Sequence, residues 1–220
     1  MPGKLYIVAT PIGNLEDITI RAIRILKEVS FIACEDTRRT KILCNAYGIE
    51  TPLISYYSYN EHTKKDVLIN YLEQGKDIAL VSDAGTPGIS DPGYVLINAA
   101  IEKGFDMEAI PGPTALINAL SISGKPTNKF VYEGFLSNKS SQRRKRLEQL
   151  KDEQRTIVFY ESCHRIVKML TDIFEIRGDI EIVCAREMTK KFEEIHRTKV
   201  SNIIEVYKNK KPKGEFVVII

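Results

Sequence analysis

"VSDAGTPGISDPG", residues 81–93, is the stretch on which the reading of this chain turns. It leaves the apolar run "DIALV" (77–81), and five of its thirteen residues are Gly or Pro, with Asp83 and Asp91 among them and no Lys or Arg. So restricted a segment is too long for a tight turn and lacks the alternation of a strand. Two shorter segments, "TPIGN" (10–14) and "PGPTA" (111–115), also follow a strand-like run and precede a helical one. In an open parallel sheet such connections fall at the carboxyl edge of the strands, where ligands bind, so the three are expected to line one cleft. Gly lets backbone approach a ligand closely, and Pro fixes a loop in advance and lowers the entropy lost on binding. Read singly, each is a well-made turn; three in register point to a site.

The segments around them alternate between short β-rich runs and helical stretches. Strands are expected at "KLYIVA" (4–9), "FIACE" (31–35), "PLISYY", "DIALV" and "FDMEAI". Helices are expected over "DITIRAIRILKEV", with Asp17 or Thr19 as its cap, and over 38–47, 63–74, 94–103 and 114–121, several of them closed by Gly. This βα repetition predicts an α/β fold with a mainly parallel sheet covered on both faces. After "GKPTN" the texture changes to strands with fewer helices, "FVYEGFL", "RTIVFY", "DIEIVCARE", "EEIHRTKV" and "EFVVII", which predicts a second α/β domain built on a mixed sheet. A short helix is expected around 203–207, and the domains are expected to be 1–124 and 125–220.

Composition narrows the classes of function. A chain of 220 residues with 43% hydrophobic residues can bury a core, and no apolar run approaches the length of a membrane span or a signal peptide, so a cytoplasmic protein is expected. Cys34, Cys44, Cys163 and Cys184 stand singly, without C-x-x-C pairs or His at ligand spacing, which argues against a zinc site or a disulfide frame. The net charge of +3 permits a nucleic-acid partner without requiring one. Basic residues cluster at Arg38, Arg39 and Lys41, in "KSSQRRKR" (139–146), and at Lys208, Lys210, Lys211 and Lys213. Each cluster reads either as a solvated face or as a surface for an RNA backbone.

Neither G-x-x-x-x-G-K-[ST] nor G-x-G-x-x-G occurs, so the usual nucleotide fingerprints are missing. Asp83 and Asp91 would repel a polyphosphate unless a metal intervened. A ligand with a cationic centre, an ammonium group and hydroxyls suits the loop better, and S-adenosylmethionine has all of these.

The segments "LYIVATPIGNLEDIT", "EDTRRT", "SDAGTPGISDPG", "IPGPTA", "EGFL", "FYES-HR", "ARE-TK" and "GEFV", in this order, resemble the ribosomal RNA small-subunit methyltransferase I family. That family has the tetrapyrrole-methylase-like (class III methyltransferase) fold, and the similarity spans the chain. The resemblance implies methyl transfer from S-adenosylmethionine to the ribose 2'-oxygen of a cytidine in the decoding region of 16S rRNA, by a homodimer, without metal or membrane. It further implies a cofactor cleft between the two domains. By motif, Pro11 belongs to the first loop, Ala84, Gly85, Thr86 and Ile89 to the second, Thr114 and Ala115 to the third, and Tyr160, Glu161 and Met188 to the second domain. Many members continue past the "GEFV" strand, whereas this sequence ends at Ile220. A tetrapyrrole or other small substrate, and a non-catalytic RNA-binding module, are the alternative readings.

Methyl transfer from a sulfonium is an in-line displacement, with the acceptor oxygen about 3 Å from the methyl carbon. A ribose hydroxyl keeps its proton at neutral pH, so a base within hydrogen-bond reach is expected. Glu35, Asp36, Arg38 and Arg39 follow the second strand and are expected at the same sheet edge. Asp36 is the candidate base and Arg38 or Arg39 the holder of a flanking phosphate, the alternative being helix capping by Asp36 or Thr37. In "YYSYNEH", Tyr56, Tyr57 and Tyr59 are candidates to stack an unpaired base and His62 is a second candidate base. In "ESCHR", the neighbouring Cys163 and His164 lack an identifiable orienting partner for thiol catalysis. Ser162 reads as the cap of the next helix and Arg165 as a residue facing the cleft.

Overall fold

The computed structural model describes residues 1–220, which divide into two compact units, Met1–Thr114 and Ala115–Ile220. In the first unit, β1 (Leu5–Val8), β2 (Phe31–Cys34), β3 (Leu53–Ser55), β4 (Ile78–Val81) and β5 (Met107–Ile110) form one sheet in the order β3-β2-β4-β1-β5. Every pairing is parallel. The four residues of β4 are all buried, which is why "DIALV" reads as a continuous apolar run with no alternation.

Helices cover both faces of this sheet. Ala79 and Val81 point into a core shared with α1 (Ile20–Glu28) and α2 (Thr37–Tyr47), while Ile78 and Leu80 point into one shared with α3 (Glu61–Glu73) and α4 (Tyr94–Glu102). Each fully buried aliphatic side chain contributes about 1.5–3 kcal/mol of transfer free energy. Thr19 is the cap of α1, its Oγ1 accepting from the Ala22 amide at 3.1 Å. At the far end of α2, Gly48 takes a left-handed conformation and stops the helix.

In the second unit, β6 (Phe130–Phe135), β7 (Thr156–Ser162), β8 (Glu181–Arg186), β9 (Glu194–Lys199) and β10 (Glu215–Ile219) form a sheet in the order β6-β7-β10-β8-β9. The β6–β7 pair is parallel and the remaining pairs antiparallel, so the sheet is mixed as expected. Side chains of α6 (Ser140–Gln149), α7 (Ile166–Arg177) and α8 (Val200–Asn209) pack with Ile157, Phe159, Ile182, Cys184, Phe216 and Val218 in one core. The helix α5 (Ala115–Ser121) belongs to this unit and packs on β10.

Helix α8 is longer than the expected 203–207. Val200, Ile203, Ile204 and Tyr207 are buried at helical spacing, and its amino terminus is capped from a distant residue: Asp179 accepts from the Ser201 amide at 2.9 Å. No local cap marks that start in the sequence. Ser162 is also placed differently from expectation. It ends β7, and α7 begins at Ile166 after Arg165 with no side-chain cap, because the chain makes a turn over 163–165 first.

Candidate functional site

The three loops of the first unit meet at the carboxyl edge of β4, β1 and β5, which are neighbours in the sheet. Thr10, just after β1, and Gly85, after β4, form an isolated antiparallel bridge, with Thr10 N donating to Gly85 O at 2.9 Å and Gly85 N to Thr10 O at 3.0 Å. The buried Thr10 hydroxyl donates to Ser82 O at 3.0 Å, and the buried Ser82 hydroxyl donates to Gly85 O at 3.1 Å. Gly85 has φ of +90°, and a Cβ built on it would lie 3.5 Å from Ile12 Cγ2 and 3.7 Å from Pro113 O, so all three loops converge on this residue. The third loop is equally close to the first: a Cβ on Gly112 would stand 2.9 Å from Ala9 Cβ.

Around this knot, Pro11, Thr86 and Thr114 are half-buried, and Ala84 and Ile89 are exposed. None of residues 10–14, 82–93 or 111–115 is Lys or Arg, and Asp83 brings a carboxylate, so the donor set fits a cationic ligand with hydrogen-bonding groups better than a polyphosphate.

An adjoining cleft of about 510 Å³ is lined by Glu35, Asp36, Thr37, Arg38, Arg39, Ser55, Tyr57 and Asp83. It lies over the carboxyl ends of β3, β2 and β4, where Cys34 pairs with Ser55 and Ala33 with Leu80. Asp83 therefore belongs both to this cleft and to the glycine-rich loop. Its Oδ1 accepts from the Asp36 amide at 3.0 Å, and Arg39 Nη1 stands 3.4 Å from its Oδ2.

Asp36 caps α2, accepting from the Arg38 amide at 2.9 Å, and also takes Arg38 Nε at 3.0 Å and Nη2 at 2.7 Å. The Arg38 side chain, followed by the backbone donors, holds the Asp36 carboxyl well below the usual carboxylate range. The capping alternative thus describes Asp36, and a carboxylate so well stabilised is a weak proton acceptor. Burial, reinforced by Asp83 and opposed by Arg39, pushes the neighbouring Glu35 the other way, above its ordinary value.

The cleft brings together Asp36, Arg38 and Arg39 but not His62, which lies exposed on the first turn of α3 and is not part of the lining. Tyr56 cannot stack a base, because its ring is 1% exposed and packed in the core between the sheet and α3. Tyr57 and Tyr59 are exposed and stand edge to face at 6.4 Å. Thr37 enters the sequence reading only as an alternative cap and Ser55 not at all; the strand register that sets Ser55 beside Cys34 is the missing information.

In the second unit, Tyr160 accepts a hydrogen bond on its hydroxyl from the Leu116 amide at 2.9 Å and packs edge to face on Tyr132 and Phe135. Glu161 is 1% exposed; its Oε1 accepts from the Ser162 amide and pairs with Arg165 Nη2, each at 2.7 Å, while its buried Oε2 has no partner. Burial pushes this carboxyl above its ordinary value despite Arg165. Arg165 also donates to Leu136 O at 3.1 Å and lies over the Phe135 ring. Met188 is buried between Glu187 and Thr189, both with positive φ, and Ala115 is half-buried at the start of α5. Backbone held in this region costs about 1–3 kcal/mol per residue and concentrates at functional sites.

The basic run 139–146 is only in part available to RNA. Arg143 donates to Asp172 at 2.6 Å inside the unit, Arg144 pairs with Asp172 and Glu175, and Arg146 with Glu133 at 2.6 Å. Nor does any group of three or more His, Cys, Asp or Glu stand close enough to hold a metal ion.

The family of Tetrapyrrole (Corrin/Porphyrin) Methylases matches residues 4–204. A Ribosomal RNA small subunit methyltransferase I of Thermotoga maritima is 50% identical over 99% of this chain and 98% of its own length. Proteins of the same name from Escherichia coli O157:H7 and Bacillus subtilis are 47% and 46% identical, with 77% and 75% of their lengths covered. Among solved structures, a diphthine synthase superposes with a TM-score of 0.75 at 13% identity, covering 99% of this chain and 89% of its own. A uroporphyrin-III C-methyltransferase from Thermus thermophilus complexed with S-adenyl homocysteine superposes at 0.69 with 17% identity, covering 98% and 97%. These structures share the fold, while the closer sequences set the branch: the chain belongs to the tetrapyrrole methylase family and, within it, to the ribosomal RNA small subunit methyltransferases I.

Proposed function

We propose that the chain transfers a methyl group from S-adenosylmethionine to the ribose 2'-oxygen of a cytidine in the decoding region of 16S rRNA, as a cytoplasmic homodimer. The curated relatives, named for the small-subunit rRNA, support the substrate class. The observation that carries the reading is the division of one sheet edge into two adjoining sites that share Asp83: a glycine loop free of cations, and a cleft with two arginines. No helix is long and apolar enough to cross a membrane.

S-adenosylmethionine supplies, when bound, a methyl carbon on a sulfonium. In the first unit, Pro11, Ala84, Gly85, Thr86, Ile89 and Thr114 are assigned to holding it, with Gly85 giving close backbone approach and Asp83 a compensating charge. In the second unit, Ala115, Tyr160, Glu161 and Met188 are assigned to donor binding as well; the partnerless Glu161 Oε2 offers an acceptor for a hydroxyl or amino group. On the acceptor side, the guanidinium groups of Arg38 and Arg39 are exposed beside their carboxylate partners and can meet an RNA phosphate, Arg39 the more readily because it holds Asp83 by a single contact at 3.4 Å. Asp36 anchors that end of α2 and Tyr57 offers a stacking face, while His62, exposed on α3 and not part of the cleft lining, is kept only as a further candidate for proton transfer.

Calorimetric titration separates an enzyme from a binding module. The expected result is one saturable site for S-adenosylmethionine, no uptake of ATP, and loss of donor binding in Gly85→Val. Tight binding of small subunits with no uptake of the donor would identify a non-catalytic RNA-binding module instead.

A further inference from the structure

Three carboxylates line the 510 Å³ cleft, and two of them are already engaged. Asp36 uses one oxygen on the Arg38 amide and guanidinium and the other on Arg38 Nη2. Asp83 gives one oxygen to the Asp36 amide and the other to Arg39. Glu35 makes neither a hydrogen bond nor an ion pair, so its lone pairs are free for a hydroxyl proton. Its position is equally apt. It follows β2 directly, and continuing the β2–β4 register by two residues sets it beside Ser82, one residue before Asp83 and three before Gly85.

We propose that Glu35 is the catalytic base, taking the proton of the acceptor hydroxyl; this rests on the methyl-transfer reading above. In the step, an oxygen lone pair of the hydroxyl forms the new O–C bond as the C–S bond breaks, its electron pair staying on sulfur. The hydroxyl proton passes to the Glu35 carboxylate, which becomes the neutral acid and returns the proton to water. Half-burial and the adjacent Asp83 raise its proton affinity above that of an exposed glutamate, moving it toward the working pH of a base. The charged groups facing it are Asp36 and Arg39 from its own connection and α2, and Asp83 from the loop after β4.

The test is single-turnover labelling of undermethylated small subunits with excess labelled S-adenosylmethionine, using wild-type protein and Glu35→Gln. The wild type is expected to label RNA, with a rate that falls about tenfold per pH unit below the carboxyl's pKa. Glu35→Gln is expected to be slower by about 10²–10⁴-fold, with donor affinity within about twofold of wild type and a rate that no longer follows pH in that range. A Glu35→Gln rate within about threefold of a labelling-competent wild type, or a wild-type rate independent of pH, overturns the role of Glu35 and leaves the function standing. Wild-type protein that labels no RNA overturns the function itself, and the role falls with it.

Discussion

Gly85 is the residue on which the glycine-rich loop, proposed above to hold the methyl donor, depends for its conformation. Its φ of +90° is a backbone conformation that residues with a side chain rarely adopt, and its two backbone hydrogen bonds to Thr10 hold it there. Gly85→Ala is expected to cost about 1–3 kcal/mol in denaturant unfolding and to weaken donor binding more than that cost alone explains. Asp36 makes a different prediction. Its folded pKa is depressed, so its stabilising effect is fully present above the unfolded value of about 4 and is lost as pH falls below it. Asparagine keeps the cap but not the charge, so the stability gap between wild type and Asp36→Asn should close on acidification and shrink in salt. At this scale the sequence was legible where a residue type implies a backbone, as at Gly85. It was not legible where neighbouring carboxylates differ only in their partners. "ED" does not reveal that Asp36 is consumed by Arg38 while Glu35 is free, and "YYSY" does not reveal that Tyr56 faces the core.

Among the elements, α6 shows how a charge run misleads. Its arginines are fixed by acids far along the chain, with Arg143 4% and Asp172 9% exposed. Removing one partner of a buried pair strands the other charge, so Arg143→Ala is expected to destabilise by about 3–5 kcal/mol, toward the lower end because Arg144 still reaches Asp172. Arg144→Ala, exposed, should change the melting temperature little. Short β-rich runs marked the strands, continuous where both faces are covered as in β4, and apolar residues at helical spacing marked most helices. The start of α8 and the end of β7 escaped because a distant Asp179 supplies the cap in one case and a turn intervenes in the other.

For the whole molecule, the parallel and mixed sheets followed from the βα texture and its change after residue 124, whereas the split of the first sheet's edge into two sites required strand order, which no local pattern encodes. That order places cleft and glycine loop on either side of Asp83. Binding of small subunits should weaken as salt rises, and Arg39→Ala should reduce the slope of log affinity against log salt by about one, as for loss of a single phosphate contact. The most direct measurement is to incubate the protein with labelled S-adenosylmethionine and undermethylated small subunits and to map the label to a nucleotide and an atom. The account predicts a single cytidine of the decoding region modified at its ribose 2'-oxygen. Label on a nucleobase, or none on RNA, would contradict it.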